Sequence, residues 1–374
     1  MAENRGLQAL EANVIQKDLC AFCGACLSLC PYLRSWGGRW VKLHDCDLAE
    51  GRCYAYCPRT ELDLDAIHSG LLGGPYEDLA MGPFRRVVMA QCTDPQVRQR
   101  AQTGGVVSAL MSLALDAGWI DAAVLTRRGE DQLPEGYLVR KREEVLICAG
   151  SSYVAAPTLE ALNRGPWNGD ERIGVVAIPC QVQALAKMRL SALERKTPID
   201  RIALIVGLFC TWALTYRPFM EFVRIRVQGV PIQKMDITPP PERLLKVHTH
   251  GDVWNIPLDE IRSFIPPTCG VCLDMTSEWA DLSVGTVEGM EGWNTVVVRT
   301  ERGEELFERA EKEGLLEIRQ LPEANFQHLR DASLLKKRRA LKALQERGEL
   351  ATGYLKLSQE AVQRILEDGT EAES

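Results

Sequence analysis

The chain has 374 residues, 46% hydrophobic and 25% charged, with a formal net charge of −7. Those values are ordinary for a globular protein and exclude a disordered, collagenous or coiled-coil chain, while the acidic balance argues against nucleic acid as a partner. Residues 1–19 lack the apolar core of a signal peptide and the longest apolar run, Ile202 to Leu214, is shorter than the roughly 18 residues a membrane span needs, so a soluble, cytoplasmic protein is expected.

Thirteen cysteines are the unusual feature. A chain of this length can build a core without disulfides, so clustered cysteines point to metal. Residues 1–60 carry Cys20-x2-Cys23-x2-Cys26-x3-Cys30-Pro31, which resembles the bacterial ferredoxin run. In that frame three thiolates in a tight loop each reach one iron, and the fourth cysteine crosses to a second cluster. Cys53-x3-Cys57-Pro58 repeats the end of the run and supplies the crossed ligand. One cluster is therefore expected on Cys20, Cys23, Cys26 and Cys57. A second has Cys30, Cys46 and Cys53 and is one ligand short, because the ferredoxin frame places Asp47 and Glu50 where cysteines would stand. Three solutions are open: a carboxylate or His44 as fourth ligand, a three-iron [3Fe–4S] cluster, or an altered loop. Zinc is the competing reading of any CxxC group.

Residues 61–85 are rich in turns and read as a linker. From Arg86 to about residue 330 short β-rich runs alternate with helical stretches, which predicts a layered α/β domain. Strands are expected at Val87–Gln91, Ala122–Thr126, Ile173–Ile178, Ile202–Phe209, Leu282–Gly285 and Thr295–Arg299. Helices are expected at Gly105–Ala117, Gln181–Leu190, Pro218–Val227 and Glu304–Glu313. Residues 230–257 read as an antiparallel insertion with Pro239-Pro240-Pro241 at a turn. The segment 331–374 reads as a polar helical tail, frayed over Glu367–Ser374. Its basic stretch 330–347 is taken as a solvated helix face, with a docking face for an acidic partner as the alternative.

Four further cysteines stand in places that favour convergence. Cys180 and Cys210 each follow a predicted strand, and Cys269-x2-Cys272 is a compact chelating loop. Strand carboxyl ends meet at the functional crevice of an α/β sheet. The bland alternative makes Cys180 and Cys210 small core residues. Cys92 and Cys148 are left over and are expected to be inert thiols in or near the core. Thr103-Gly104-Gly105-Val106 opens a predicted helix whose free N–H groups suit a pyrophosphate, with Thr103 and Ser108 as hydroxyl donors. No G-x-G-x-x-G fingerprint with its acidic partner, no P-loop and no HExxH is present.

The ordered series Thr103–Leu110, Gly150-Ser151-Ser152-Tyr153, Ile178-Pro179-Cys180-Gln181, Gly207-Leu208-Phe209-Cys210, Cys269-x2-Cys272, Ala280–Gly285 and Gly292-Trp293-Asn294-Thr295-Val296 resembles the family of coenzyme F420 hydrogenase/dehydrogenase beta subunits. The resemblance runs from about residue 86 to about 340. The cysteine module in front is similar to that of longer members such as formate dehydrogenase beta subunits. The resemblance implies FAD, a core [4Fe–4S] cluster on Cys180, Cys210, Cys269 and Cys272, and a hydride-carrier site at the flavin. The implied flavin contacts are Thr103, Gly104, Gly105, Val106, Ser108, Gly150, Ser151, Tyr153, Gln181, Thr286, Glu288 and Gly289.

The expected function is that of a flavin and iron–sulfur electron-transfer subunit. It exchanges hydride with coenzyme F420 or NAD(P)H and relays single electrons to a hydrogenase-, formate dehydrogenase- or heterodisulfide reductase-type partner. No side chain is expected to act as a catalytic acid or base. The alternatives are a conduit that has lost carrier binding and a zinc-structured scaffold.

Overall fold

In a computed structural model of the chain, residues 4–194, 196–238 and 242–367 are described. An eight-stranded mixed sheet organises them. Its strands are β1 (Arg86–Cys92), β2 (Ala122–Arg128), β3 (Pro134–Val139), β4 (Ile173–Ala177), β5 (Ile202–Leu208), β6 (Leu282–Thr286), β7 (Asn294–Val298) and β8 (Leu316–Gln320). The spatial order is β8-β1-β7-β6-β5-β4-β2-β3. The pairs β2–β4, β4–β5 and β5–β6 are parallel, and the remaining neighbours are antiparallel.

The parallel centre explains the sequence pattern. All five residues of β4 are buried, as a strand covered on both faces requires. Helix α1 (Val106–Asp116) and helix α2 (Pro179–Leu190) cover the sheet. Pro179 at the start of α2 is pre-set for a first helical turn. The segment Tyr216–Arg226 forms α3 and Glu301–Lys312 forms α4, capped by the Thr300 hydroxyl. The strands β3 and β8 were not expected from the sequence. They lie at the two edges of the sheet, pair on one side only, and so carry too few apolar residues to stand out.

Residues 230–257 contain a three-stranded antiparallel sheet, Ile232–Ile237, Leu244–Thr249 and Val253–Pro257, packed with α3 on a separate apolar cluster. The expected proline turn at Pro239–Pro241 lies outside the described residues.

The N-terminal cysteine segment packs on the sheet domain. Leu7, Leu10, Val14 and Leu27 share one apolar core with Ile173, Val175, Leu185 and Leu341. Asn163 Nδ2 donates to the carbonyls of Gly24, Ala25 and Leu27, and Ser28 and Ser35 donate to the Glu160 carboxylate. A hairpin, Leu33–Trp36 with Arg39–Lys42, turns at Gly37-Gly38, both at positive φ as a two-residue turn demands.

The last long helix, α5 (Glu323–Glu346), begins before the expected Asp331. Its basic stretch is not simply a solvated face: Lys336 and Lys337 are buried. Beyond it Leu355–Lys356 pairs in parallel with Leu62–Asp63, so the C-terminal segment closes over residues that follow the cysteine module. Of the expected frayed end, Glu367 belongs to the helix Gln359–Glu367 and the rest lies outside the described residues. Among the described residues no helix is long and apolar enough to cross a membrane.

Candidate functional site: a large cavity beside three cysteine groups

A cavity of about 590 Å³ opens at the carboxyl ends of the parallel strands. Thr126 of β2, Ile178 after β4, Leu208 and Phe209 at the end of β5, and Thr286 of β6 all line it. That is where an open α/β sheet binds ligands, and the volume suits a cofactor. Gly105, at φ 76°, turns the chain into α1 without any side-chain cap, leaving first-turn N–H groups at the wall. The Val106 N–H makes only a long contact of 3.4 Å with Asn294 Oδ1. Asn294 Nδ2 donates to Thr103 Oγ1 and to the Gly285 carbonyl, which ties the α1 entry to β6.

Of the expected flavin contacts, Thr103, Gly105, Val106, Ser108, Gly150, Ser151, Tyr153, Gln181, Thr286 and Glu288 line this cavity. Gly104 and Gly289 do not. A Cβ on Gly104 would meet Asn294 Oδ1 at 2.7 Å, the Gly292 carbonyl at 2.9 Å and the Ala90 carbonyl at 3.0 Å, so this glycine permits close packing of the α1 entry. Gly289 sits at φ 74° in a turn with nothing near its Cβ position. Gln181 lines the wall, but its amide is occupied: Oε1 accepts from Ile178 N–H and Nε2 donates to Ala156 O and Thr158 Oγ1. It fixes the turn before α2. The Tyr153 hydroxyl accepts from Ile237 N–H and so anchors the small sheet to the cavity rim.

Sequence reasoning missed several wall residues: Arg128, Phe209, Trp212, Asn294, Asn325 and His328. Phe209 and Asn294 stood in quoted motifs without an assigned role. Arg128 ends strand β2, and Trp212, Asn325 and His328 come from a loop and a helix that only folding brings to the wall. Glu288 pairs with His328, and Asn325 donates to the Glu288 carbonyl, closing one side of the mouth. Cys148, expected to be an inert core thiol, also lines the cavity, half-buried, with burial pushing its thiol up to about 12. Cys92 is buried as expected.

The remaining cysteines fall into three groups. Cys180, Cys210, Cys269 and Cys272 ring a small cavity of about 30 Å³ together with Arg59 and Lys336. Cys20, Cys23, Cys26 and Cys57 ring another of about 20 Å³. Cys30, Cys46 and Cys53 lie near one another and are half-exposed. Among the described residues no three His, Cys, Asp or Glu side chains converge on a point that a single ion would occupy. Four thiols around a small space are compatible with an iron–sulfur cluster.

The electrostatics set burial, which disfavours thiolates, against nearby cations and N–H donors, which favour them. Burial pushes the Cys20 thiol up to about 11 and the Cys23 and Cys210 thiols up to about 12, and neighbouring cysteines add repulsion in each case. Burial also acts on Cys272, yet Lys336 and Arg59 together hold it below the ordinary thiol value. Backbone amides reach the sulfurs as well: Arg59 N–H to Cys57 Sγ at 3.4 Å and Ala213 N–H to Cys269 Sγ at 3.5 Å. Such donors stabilise thiolates and tune a bound cluster.

Behind the core group lies a buried charge network. Lys337 pairs with Glu278, both side chains 1% exposed, and the Tyr76 hydroxyl donates to Glu278 Oε2 at 2.6 Å. Asp274 caps the turn by accepting from the N–H groups of Thr276, Ser277 and Glu278. Arg299 holds the same turn through the Thr276 carbonyl and hydroxyl. These bonds fix the segment that follows Cys272.

Two family models match the chain: the N-terminal part of the coenzyme F420 hydrogenase/dehydrogenase beta subunit over residues 87–163, and its C-terminal part over residues 170–324. The chain belongs to this family. It is thereby an oxidoreductase subunit. Similar proteins include the beta subunit of the coenzyme F420 hydrogenase of Methanothermobacter thermautotrophicus, 30% identical over 73% of this chain and 98% of that one. The beta subunit of the coenzyme F420 hydrogenase of Methanosarcina barkeri is 32% identical over 66% and 86%. The coenzyme F420-dependent sulfite reductase of Methanocaldococcus jannaschii is 28% identical over 90% of this chain and 52% of its own length. A chain in the solved F420-reducing [NiFe] hydrogenase complex of Methanosarcina barkeri matches with a TM-score of 0.66 and 30% identity, over 73% of this chain and 95% of that one. The family is thus as the sequence motifs implied, and so is a domain that mixes helices with a sheet; that the sheet is mixed is new.

Proposed function

We propose that the chain is the flavin- and iron–sulfur-bearing subunit of a redox complex, accepting or delivering hydride at FAD in the large cavity and relaying single electrons through its cysteine groups. The observation that carries this reading is a shared wall. Cys210, with Thr211, Trp212 and Ala213, lines both the 590 Å³ cavity and the small cavity of the core cysteines. Cys180 of the core group in turn faces Cys23 of the first N-terminal group electrostatically. Flavin cavity, core group and N-terminal groups therefore adjoin in series.

When bound, FAD supplies two-electron hydride exchange with one-electron release, and the clusters supply one-electron transfer. The chain's own residues do the positioning. Thr103, Gly105 and Val106 at the α1 entry, with Ser108 in its first turn, would hold the pyrophosphate, and Gly150, Ser151, Tyr153, Thr286 and Glu288 would form the facing walls. Arg128, also on the wall, adds positive charge for a phosphate. Leu125, Val176, Leu208 and Val284 exclude water from the inner end. Four cysteines would hold the core cluster, four the first N-terminal cluster, and Cys30, Cys46 and Cys53 a third cluster with one position lacking a cysteine. The names of the relatives favour coenzyme F420 over NAD(P)H as the soluble carrier, and the partner is another subunit of a hydrogenase- or dehydrogenase-type complex.

The test is iron, acid-labile sulfide and flavin per chain on anaerobically purified protein. The expected result is about eleven to twelve irons, from three clusters of three- or four-iron type, with one FAD. About four to eight irons without flavin would overturn the flavin reading and leave an electron conduit. Zinc without sulfide would overturn both.

A further inference from the structure

Arg59 follows the Cys57-Pro58 pair and is buried with 2% exposure. Its hydrogen-bond acceptors are neutral oxygens: Nε donates to Thr268 Oγ1 at 3.0 Å, and Nη1 to the Pro58 carbonyl at 3.1 Å and Gln183 Oε1 at 3.0 Å. The guanidinium also lies 5.2 Å from the centre of the Tyr354 ring. Neutral partners do not cancel the charge of a guanidinium taken out of water, so such a site calls for an anion.

The thiols around Arg59 belong to two different groups. It lines the core cavity with Cys180, Cys210, Cys269 and Cys272, and its positive charge acts on the Cys180 and Cys272 sulfurs. It also stands two residues after Cys57 of the first N-terminal group, its backbone N–H donates to the Cys57 sulfur at 3.4 Å, and its charge acts on Cys20, Cys23 and Cys57. Lys336 is buried on the core cavity too, donating to the carbonyls of Cys210 and Asp274 at 2.7 Å each. Lys187 donates to Thr60 Oγ1 and the Glu61 carbonyl beside Cys57. Each cation apart from Arg59 attends one group. At the half-exposed group, the charges acting on Cys53 come from Cys30, Cys46 and Cys57.

We propose that Arg59 is a positioning residue shared by two iron–sulfur sites, a fixed buried cation that raises the potentials of both the core and the first N-terminal clusters. The inference rests on the iron–sulfur reading above. A cluster gains negative charge on reduction, so a nearby cation in a low-dielectric interior favours the reduced form. Because one cation stands beside both sites, it favours reduction at both.

The test compares wild type, R59Q and R59K holoprotein. Iron and sulfide are measured first, then redox titrations are followed by electron paramagnetic resonance, with signals assigned through C269S and C20S. In R59Q the midpoints of the core and first N-terminal signals should move together to more negative potential while the third signal stays. R59K keeps the charge but not the planar fork and should move them less. Unmoved midpoints in iron-replete R59Q would overturn the inference, as would movement of one signal alone. If R59Q loses iron, retention of both signals in R59K supports the charge requirement; loss in R59K as well would reduce Arg59 to a packing role and overturn the inference. Wild type lacking acid-labile sulfide would instead bring down the iron–sulfur reading itself, a result separable from all of these.

Discussion

The core cysteines and the half-exposed N-terminal group solve the same problem in opposite ways. Cys180, Cys210, Cys269 and Cys272 come from distant parts of the chain and meet in the interior, Cys180 and Cys272 buried and Cys210 and Cys269 half-buried. Cys30, Cys46 and Cys53 lie closer in sequence, half-buried, beside the exposed stretch 47–50. The buried group needs Arg59 and Lys336 to balance it and a charge network to hold its last loop. The N-terminal group has water beside it for that purpose, although burial still raises the Cys53 thiol. Depth therefore demands long-range support, and a shallower cysteine group can be built locally.

That contrast is easiest to break at the core. Removing Lys337 as K337M leaves Glu278 buried without its cation. The expected cost is about 3–5 kcal/mol, read as a lower urea midpoint, and replacing both partners with apolar residues should recover much of it. K42M, in the exposed pair beside Cys46, should leave the midpoint unchanged. Equal effects of the two would refute the difference between the regions.

C269S should remove the core cluster, about four irons per chain, while the N-terminal signals survive. An unchanged set of resonance signals would count against the core ligand assignment. G104A should cost about 1–3 kcal/mol by overpacking against Asn294 and the Gly292 and Ala90 carbonyls, and should lower flavin content without lowering iron.

A subtler comparison uses pH on cluster-free protein. Burial raises the Cys20, Cys23, Cys53 and Cys210 thiols in the folded state, to about 11 or 12. The folded apoprotein then keeps protons that the unfolded chain gives up. Its stability should be full below the ordinary thiol range and fall as pH rises toward about 12. Cluster-loaded protein, whose thiols have already lost their protons, should lack that decline; identical curves would contradict the assignment. The smallest expected effect is at the exposed group. Glu50 stands three residues before Cys53, where the ferredoxin frame expects a cysteine, and the neighbouring Gly51 has its Cβ position 3.1 Å from Cys53 Sγ. E50C should add about one iron per chain and no flavin. No gain would point to an altered loop.

Much of this molecule was legible before folding. The strands at Ile173 and Ile202, with parallel neighbours on both sides, announce themselves because a strand buried on both faces must be apolar throughout. The edge strands β3 and β8 do not, since one open side relaxes that demand. Buried Lys336 and Lys337 looked like part of a solvated basic face, because residue type reports the charge of a side chain and says nothing of which helix face meets the core. Arg128 and His328 joined the cavity wall without any motif around them.

Spacing along the chain was enough to group Cys20, Cys23 and Cys26 with Cys57 and to place a glycine turn before α1. Those depend on short-range geometry that a few neighbouring residues dictate. The tertiary structure alone decided what lies beside what. It put Cys210 between two cavities, Arg59 between two cysteine groups and Lys337 against Glu278, residues separated by tens to hundreds of positions. Such neighbours are chosen by how the sheet and helices bury their apolar faces, and a buried charge acquires its function from whichever partners that packing leaves within reach.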